Sequence, residues 1–170
     1  MDCIQSTKDV GDFMRLRAYA KINLGLDILG KRPDGYHEVK MIMQTIQMYD
    51  LLEIKKKKTS GISLTSNVPY VPTDERNLAY KAAKLLMDEF GVWEGLSIKL
   101  EKFIPVAAGM AGGSSDAAAA MIGVDRLFQL GLTDRELMER SVQIGADVPY
   151  CIMRGTALAE GIGERLTSLP

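Results

Sequence analysis

The stretch Pro105-Val-Ala-Ala-Gly-Met-Ala-Gly-Gly-Ser-Ser-Asp116 constrains this chain more than any other. Three glycines (Gly109, Gly112, Gly113) and three alanines leave a backbone with almost no side-chain cover. Glycine permits positive φ and lets a ligand approach the main chain closely. A helix starting near Ser114 aims its unpaired N–H groups and the positive end of its dipole back at this loop. A bare loop feeding a helix N-terminus is a phosphate site. A plain turn with a serine cap is the alternative, but it needs only one glycine and one hydroxyl. The loop is also not one of the commoner phosphate loops. No lysine follows Gly112 or Gly113 as a Walker loop requires, and Gly109 lacks the Gly-x-Gly-x-x-Gly spacing of a dinucleotide fingerprint. The catalytic-loop and metal-binding triplets of protein kinases do not occur in the chain.

Composition narrows the setting. With 170 residues, 46% hydrophobic and 25% charged, the chain has the balance of one soluble globular domain, or of one domain of a longer chain. A net charge of −1 argues against a nucleic-acid surface as its main business. Cys3 and Cys151 lack metal-ligand spacing and read as reduced thiols of a cytoplasmic protein. His37 is the single histidine, which excludes histidine-rich metal sites. No apolar run reaches the roughly 18 residues of a membrane span, and the first residues lack the apolar core of a secretory signal.

Along the chain, residues 1–13 show no periodicity and read as a loose leader, with the regular pattern beginning at Met14. Alternation through Ile22, Leu24, Leu26 and Ile28 predicts a strand, and Lys31-Arg-Pro-Asp-Gly35 a tight turn. A second extended run, Glu38–Met48, leads through Asp50 into Leu51–Ile54, and a third is expected over Ile62–Thr65. A helix capped by Thr73 or Asp74 is predicted from about Arg76 to Phe90, stopped by Gly91. A strand follows at Leu96–Leu100 and a helix at Ser114–Gln129, apolar nearly all round and hence buried on most sides. Thr133-Asp-Arg-Glu136 is a capping box opening a helix to about Ile144. Ala146-Asp-Val-Pro149 interrupts helix, and Thr156–Ile162 and Arg165–Leu169 are closing strands. The fold class is α+β, an antiparallel-rich sheet packed by about three helices.

Four polar clusters stand out: Lys21 with Asn23, Tyr36 with His37, the glycine loop, and Asp147. Residues two apart on a strand share a face, so Lys21 and Asn23 project together. Each has an ordinary reading as well. A strand-end lysine is usually solvated, His37 could belong to a surface turn, and Asp147 could bind backbone N–H groups at a helix end. Lys55–Lys58 read as a solvated, edge-protecting strand end.

Ala18-Tyr-Ala-Lys-Ile-Asn-Leu24, Arg32-Pro-Asp-Gly-Tyr-His37, Pro105–Asp116 and Gly145-Ala-Asp-Val-Pro149 resemble segments of the galactokinase, homoserine kinase, mevalonate kinase and phosphomevalonate kinase (GHMP) superfamily. The resemblance runs from about Met14 to the end. Its Pro-Asp-Gly-Tyr-His and Gly-Ala-Asp-Val-Pro segments are most similar to the branch whose substrate is 4-diphosphocytidyl-2-C-methyl-D-erythritol, of the non-mevalonate isoprenoid pathway. The resemblance implies a ribosomal protein S5 domain 2-like fold, ATP and Mg²⁺ as cofactors, and no nucleic-acid or membrane partner. It implies Asp147 as general base for the substrate hydroxyl, with Lys21 beside it keeping the carboxylate ionised. Asn23 would orient the hydroxyl or a phosphate oxygen, and Tyr36 and His37 would bind the cytosine. Pro105, Val106, Ala107, Ala108, Gly109, Met110, Ala111, Gly112, Gly113, Ser114 and Ser115 would wrap the ATP phosphates, a Ser114 or Ser115 hydroxyl lying near Mg²⁺, with no protein ligand to the metal assigned. The family has two domains with the active site between them. Residues 14–170 would then be the N-terminal, ATP-binding domain, the C-terminal one would be absent from these residues, and the chain alone would be weakly active or inactive. A sister kinase for another small alcohol, or an RNA-binding or assembly module, are the competing functions.

Overall fold

The computed structural model describes residues 11–33 and 35–170. Residues 1–10, with Cys3 and most of the expected leader, and Asp34 of the predicted turn lie outside the described residues. Regular structure begins one residue before Met14, at Phe13, and Lys56 N donates to Asp12 O at 3.0 Å.

Two long strands form the frame. β1 (Phe13–Lys31) and β2 (His37–Lys57) pair antiparallel from Phe13 opposite Lys55 to Lys31 opposite His37. The turn between them is closed by Arg32 N donating to Tyr36 O at 2.8 Å. The run expected from Glu38 through Asp50 to Ile54 is the single strand β2. A register shift between Tyr19 and Lys21, where residues 46–48 oppose Ala20, marks a bulge within the pairing.

The other edge of β2 is shared. β5 (Thr156–Gly161) pairs with Val39–Gln44 and β4 (Gly95–Glu101) with Leu51–Lys57, leaving residues 45–50 between them. β3 (Ile62–Ser66) runs parallel beside β4, and β6 (Arg165–Leu169) antiparallel beside β5. The result is a six-stranded sheet ordered β3-β4-β2-β5-β6, with β1 also on β2. Met14, Leu16, Ala18, Leu52, Ile54, Leu96, Ile98 and Leu100 turn one face of it into the core. In contrast, the distal half of β1 is exposed, including Leu24, Leu26, Ile28 and Leu29.

The helices are α1 (Leu78–Glu89), α2 (Gly112–Phe128), α3 (Asp134–Ser141) and α4 (Val148–Met153). α2 is central: it touches β1, β2 and all three other helices. Its alanines and Gly123 permit this, since a Cβ on Gly123 would lie 2.2 Å from Ile54 Cδ1 and 2.7 Å from Leu16 Cδ1. α1 begins later than expected. Its cap is Asn77, whose side chain accepts from Ala79 N at 2.9 Å, whereas Asp74 makes a local turn to Arg76 N at 3.0 Å. The capping box forms as predicted, with Glu136 N donating to Thr133 Oγ1 and Thr133 N to Glu136 Oε2, although α3 ends at Ser141. Ala146–Pro149 opens a helix rather than only ending one, because proline in the first turn gives up an N–H that has no intrahelical partner there.

Candidate active site

The glycine stretch folds into a loop with left-handed residues at alternate positions: Ala107 (φ 61°), Gly109 (φ 73°) and Ala111 (φ 56°). Alternation of backbone hand turns successive N–H groups into one concavity, an anion nest. α2 starts at Gly112, two residues before the predicted Ser114, because Ala111 is the N-cap. Alanine has no oxygen to cap with, so no side-chain cap occupies the first N–H groups of the helix. Two left-handed alanines store strain, about 1–2 kcal/mol each by the usual penalty. Such strain persists only where the surroundings fix the backbone, and it clusters at functional sites.

Residues 105–114 line a cavity of about 600 Å³, together with Lys21, Asn23 and Asp147. Lys21 is buried on β1 and donates to Asn23 Oδ1 at 3.0 Å, so the two share a face as their spacing predicted. Lys21 Nζ lies 3.7 Å from Asp147 Oδ2. Asp147 is the N-cap of α4, with no side-chain cap bond, and its side chain remains one-third exposed. The loop is fastened to this pair through the backbone, Lys21 N donating to Met110 O at 3.1 Å. A cation, a carboxylate and an amide carbonyl therefore face one space with a row of backbone amides.

Three expected members stand elsewhere. Ser115 is buried, its hydroxyl donating to Tyr19 O and lying 3.4 Å from Cys151 Sγ, so only Ser114 of the serine pair lines the cavity. Tyr36 and His37 sit at the far end of the β1–β2 hairpin, outside the lining of this cavity. Cys151 is a buried free thiol, and burial pushes it up to about 12. Lys56 and Lys57 are engaged at the strand end, Lys56 with Glu94 at 3.8 Å and over the Phe128 ring, Lys57 with Ser63 at 3.2 Å.

Beneath the loop lies a buried ionic group that the sequence reading missed: Asp50, Lys102 and Asp116. Lys102 Nζ bonds both carboxylates, with Asp116 Oδ2 at 2.7 Å. Asp50 Oδ1 also accepts from Phe103 N and, at 2.8 Å, Ile104 N. Asp116 Oδ1 is buried with no hydrogen-bond partner. Burial pushes the Asp116 carboxyl up to about 8, Lys102 opposing and Asp50 adding to the shift. Burial works against the Lys102 charge, yet its two carboxylates outweigh this and raise its pKa. A signal was available, since Asp50 is in phase with Leu52 and Ile54, and Lys102 with Leu96, Ile98 and Leu100. Charges on buried parity must be paired.

Among the described residues no cluster of three His, Cys, Asp or Glu could hold a metal, and no helix is long and apolar enough to cross a membrane. Mg²⁺ is commonly held by few protein oxygens plus substrate phosphates. The Ser114 hydroxyl on the cavity wall fits that limited demand.

Residues 77–155 match the family model described as GHMP kinases N terminal domain. A 4-diphosphocytidyl-2-C-methyl-D-erythritol kinase of Lachnoclostridium phytofermentans is 57% identical over 159 residues, 94% of this chain and 55% of the relative. One of the same name from Lachnospira eligens is 55% identical, over 92% of this chain and 54% of the relative. The chain thus spans about half the length of the curated relatives it matches. A crystal structure of 4-(cytidine 5'-diphospho)-2C-methyl-D-erythritol kinase superimposes with a TM-score of 0.80 at 38% identity, covering 92% of this chain and 55% of the other. Homoserine kinase from Cytophaga hutchinsonii shares the fold, with a TM-score of 0.75 at 17% identity over 96% of this chain and 53% of the other. The chain belongs to the GHMP kinases and carries their N-terminal domain.

Proposed function

We propose that this chain is the nucleotide-binding part of an ATP-dependent kinase that phosphorylates the 2-hydroxyl of 4-diphosphocytidyl-2-C-methyl-D-erythritol. The observation that carries the reading is the placement of the Lys21–Asp147 pair on the same cavity as the amide-lined loop. Phosphoryl transfer asks mainly for positioning and electrostatic stabilisation. The nest and the first amides of α2 bind the triphosphate. Asp147 accepts the proton of the substrate hydroxyl as that oxygen attacks the γ-phosphorus. Lys21, beside it, offsets charge on the transferred group. Asn23, bonded to Lys21, orients the hydroxyl. The Ser114 hydroxyl on the cavity wall would help hold Mg²⁺, which would supply charge neutralisation when bound.

The relatives' names support the substrate class. Tyr36 and His37, at the other end of the hairpin, are assigned to the cytosine end of the substrate, the tyrosine by stacking and the histidine by hydrogen bonding. Residues 14–170 are assigned as the N-terminal domain, and a C-terminal domain completes the other wall of the cleft. Substrate-dependent ADP release tests the reading. The expected result is release that requires both ATP and the cytidine substrate, is competed by cytidine nucleotides, and is greater when the missing length is restored. Release that ignores the cytidine substrate in the restored protein would overturn it in favour of a sister kinase.

A further inference from the structure

We propose that Lys102 and Asp116 are positioning residues, a buried clasp that fixes the span of the phosphate loop between them. This rests on the nucleotide reading above. Lys102 stands just before the loop and Asp116 just after it, in the second turn of α2, and their side chains meet at 2.7 Å. Between Ile104 and Ser115 no residue is buried, and residues 105–109 are all exposed. Inside the loop the hold is slight, the Lys21 N–Met110 O bond and the part-buried Ala111 against the core, yet two alanines stay at positive φ. A loop of this kind keeps its shape only if its ends are fixed.

The arrangement is aimed at the loop rather than at general stability. Asp50 takes three donors, Lys102 Nζ and two backbone amides, and already neutralises the ammonium. Asp116 adds a second buried carboxylate whose Oδ1 has no partner. An apolar residue would serve plain packing there better. Both Lys102 and Asp116 reach the cavity wall, and a Cβ on Gly112 would sit 3.1 Å from Lys102 Nζ, so the ammonium lies directly under the first residue of α2. Moving the clasp therefore moves the amides.

Binding of AMP, ADP and a non-hydrolysable ATP analogue, measured by calorimetry in EDTA so that no metal bridges the groups, tests this. Wild type should tighten with each added phosphate. In Asp116→Ala the ATP analogue should weaken by about 10- to 100-fold, the scale of a displaced positioning group, while AMP changes by less than about threefold. Asp116→Asn, which keeps an acceptor for Lys102, should recover most of that loss. Gly112→Ala presses on Lys102 from the loop side and should weaken the ATP analogue selectively, a second probe should Asp116→Ala fail to fold. Equal weakening of AMP and ATP analogue in folded variants, or no weakening, would overturn the clasp and leave the nucleotide reading standing. A wild type indifferent to phosphate number would overturn both.

Discussion

Lys21 Nζ lies 3.7 Å from Asp147 Oδ2, although one residue belongs to the first strand and the other caps the last helix. The core brings them together, since α2 packs against both β1 and α4. Asp147→Ala should reduce turnover by about 10²- to 10⁴-fold, the usual worth of a general base. Its melting temperature should move little, because the side chain is partly exposed and caps no amide. Lys21→Ala should lose turnover to a similar degree. Steady-state kinetics with thermal melts check both, and near-normal kcat in either would remove that residue from the mechanism.

Stability should depend on pH through Asp116. Its folded-state carboxyl is raised to about 8, above the ordinary aspartate value near 4, so the folded state holds a proton the unfolded chain has lost. The contribution is therefore fully present below about pH 4 and is lost as pH rises towards 8. Asp116→Asn cannot ionise and should flatten that slope. Urea denaturation from pH 5 to 9 measures it; a wild-type slope unchanged by the substitution would contradict the assignment.

Gly123→Ala should cost about 1–3 kcal/mol of folding stability, the usual range for overpacking. The added methyl would collide with Ile54 Cδ1 at 2.2 Å and Leu16 Cδ1 at 2.7 Å, where α2 packs on the sheet. Equilibrium denaturation reads this directly, and a neutral result would mean that these two side chains repack freely.

Ala107→Gly and Ala111→Gly should each raise stability by up to about 1 kcal/mol, since glycine adopts positive φ without the Cβ penalty. The gain is reduced by the greater freedom of glycine in the unfolded chain. Melting curves check the sign. Destabilisation at both would show that the alanine methyls make packing contacts worth more than the strain.

Much of the frame was legible because its signals are local. Alternation marked the strands, Thr133 and Glu136 marked a helix start, and three glycines marked the loop. Long-range features were harder to read. The start of α1 falls at Asn77, whose side chain accepts from Ala79 N and also donates to Pro72 O at 2.8 Å, five residues back, a double role that residue type alone does not signal. Parity marked Asp50 and Lys102 singly as buried, but only the packing of β2, the end of β4 and α2 makes them one group with Asp116. Ser115 looked equivalent to Ser114, but a helical step of one residue turns it about 100° away, towards Tyr19 and Cys151.

The most direct test is a crystal structure of the protein with a non-hydrolysable ATP analogue. The β- and γ-phosphates are expected against the amides of residues 107–113, with the γ-phosphate beside Lys21 and Asp147. Nucleotide bound away from that loop, with Lys21 and Asp147 facing only solvent, would contradict it.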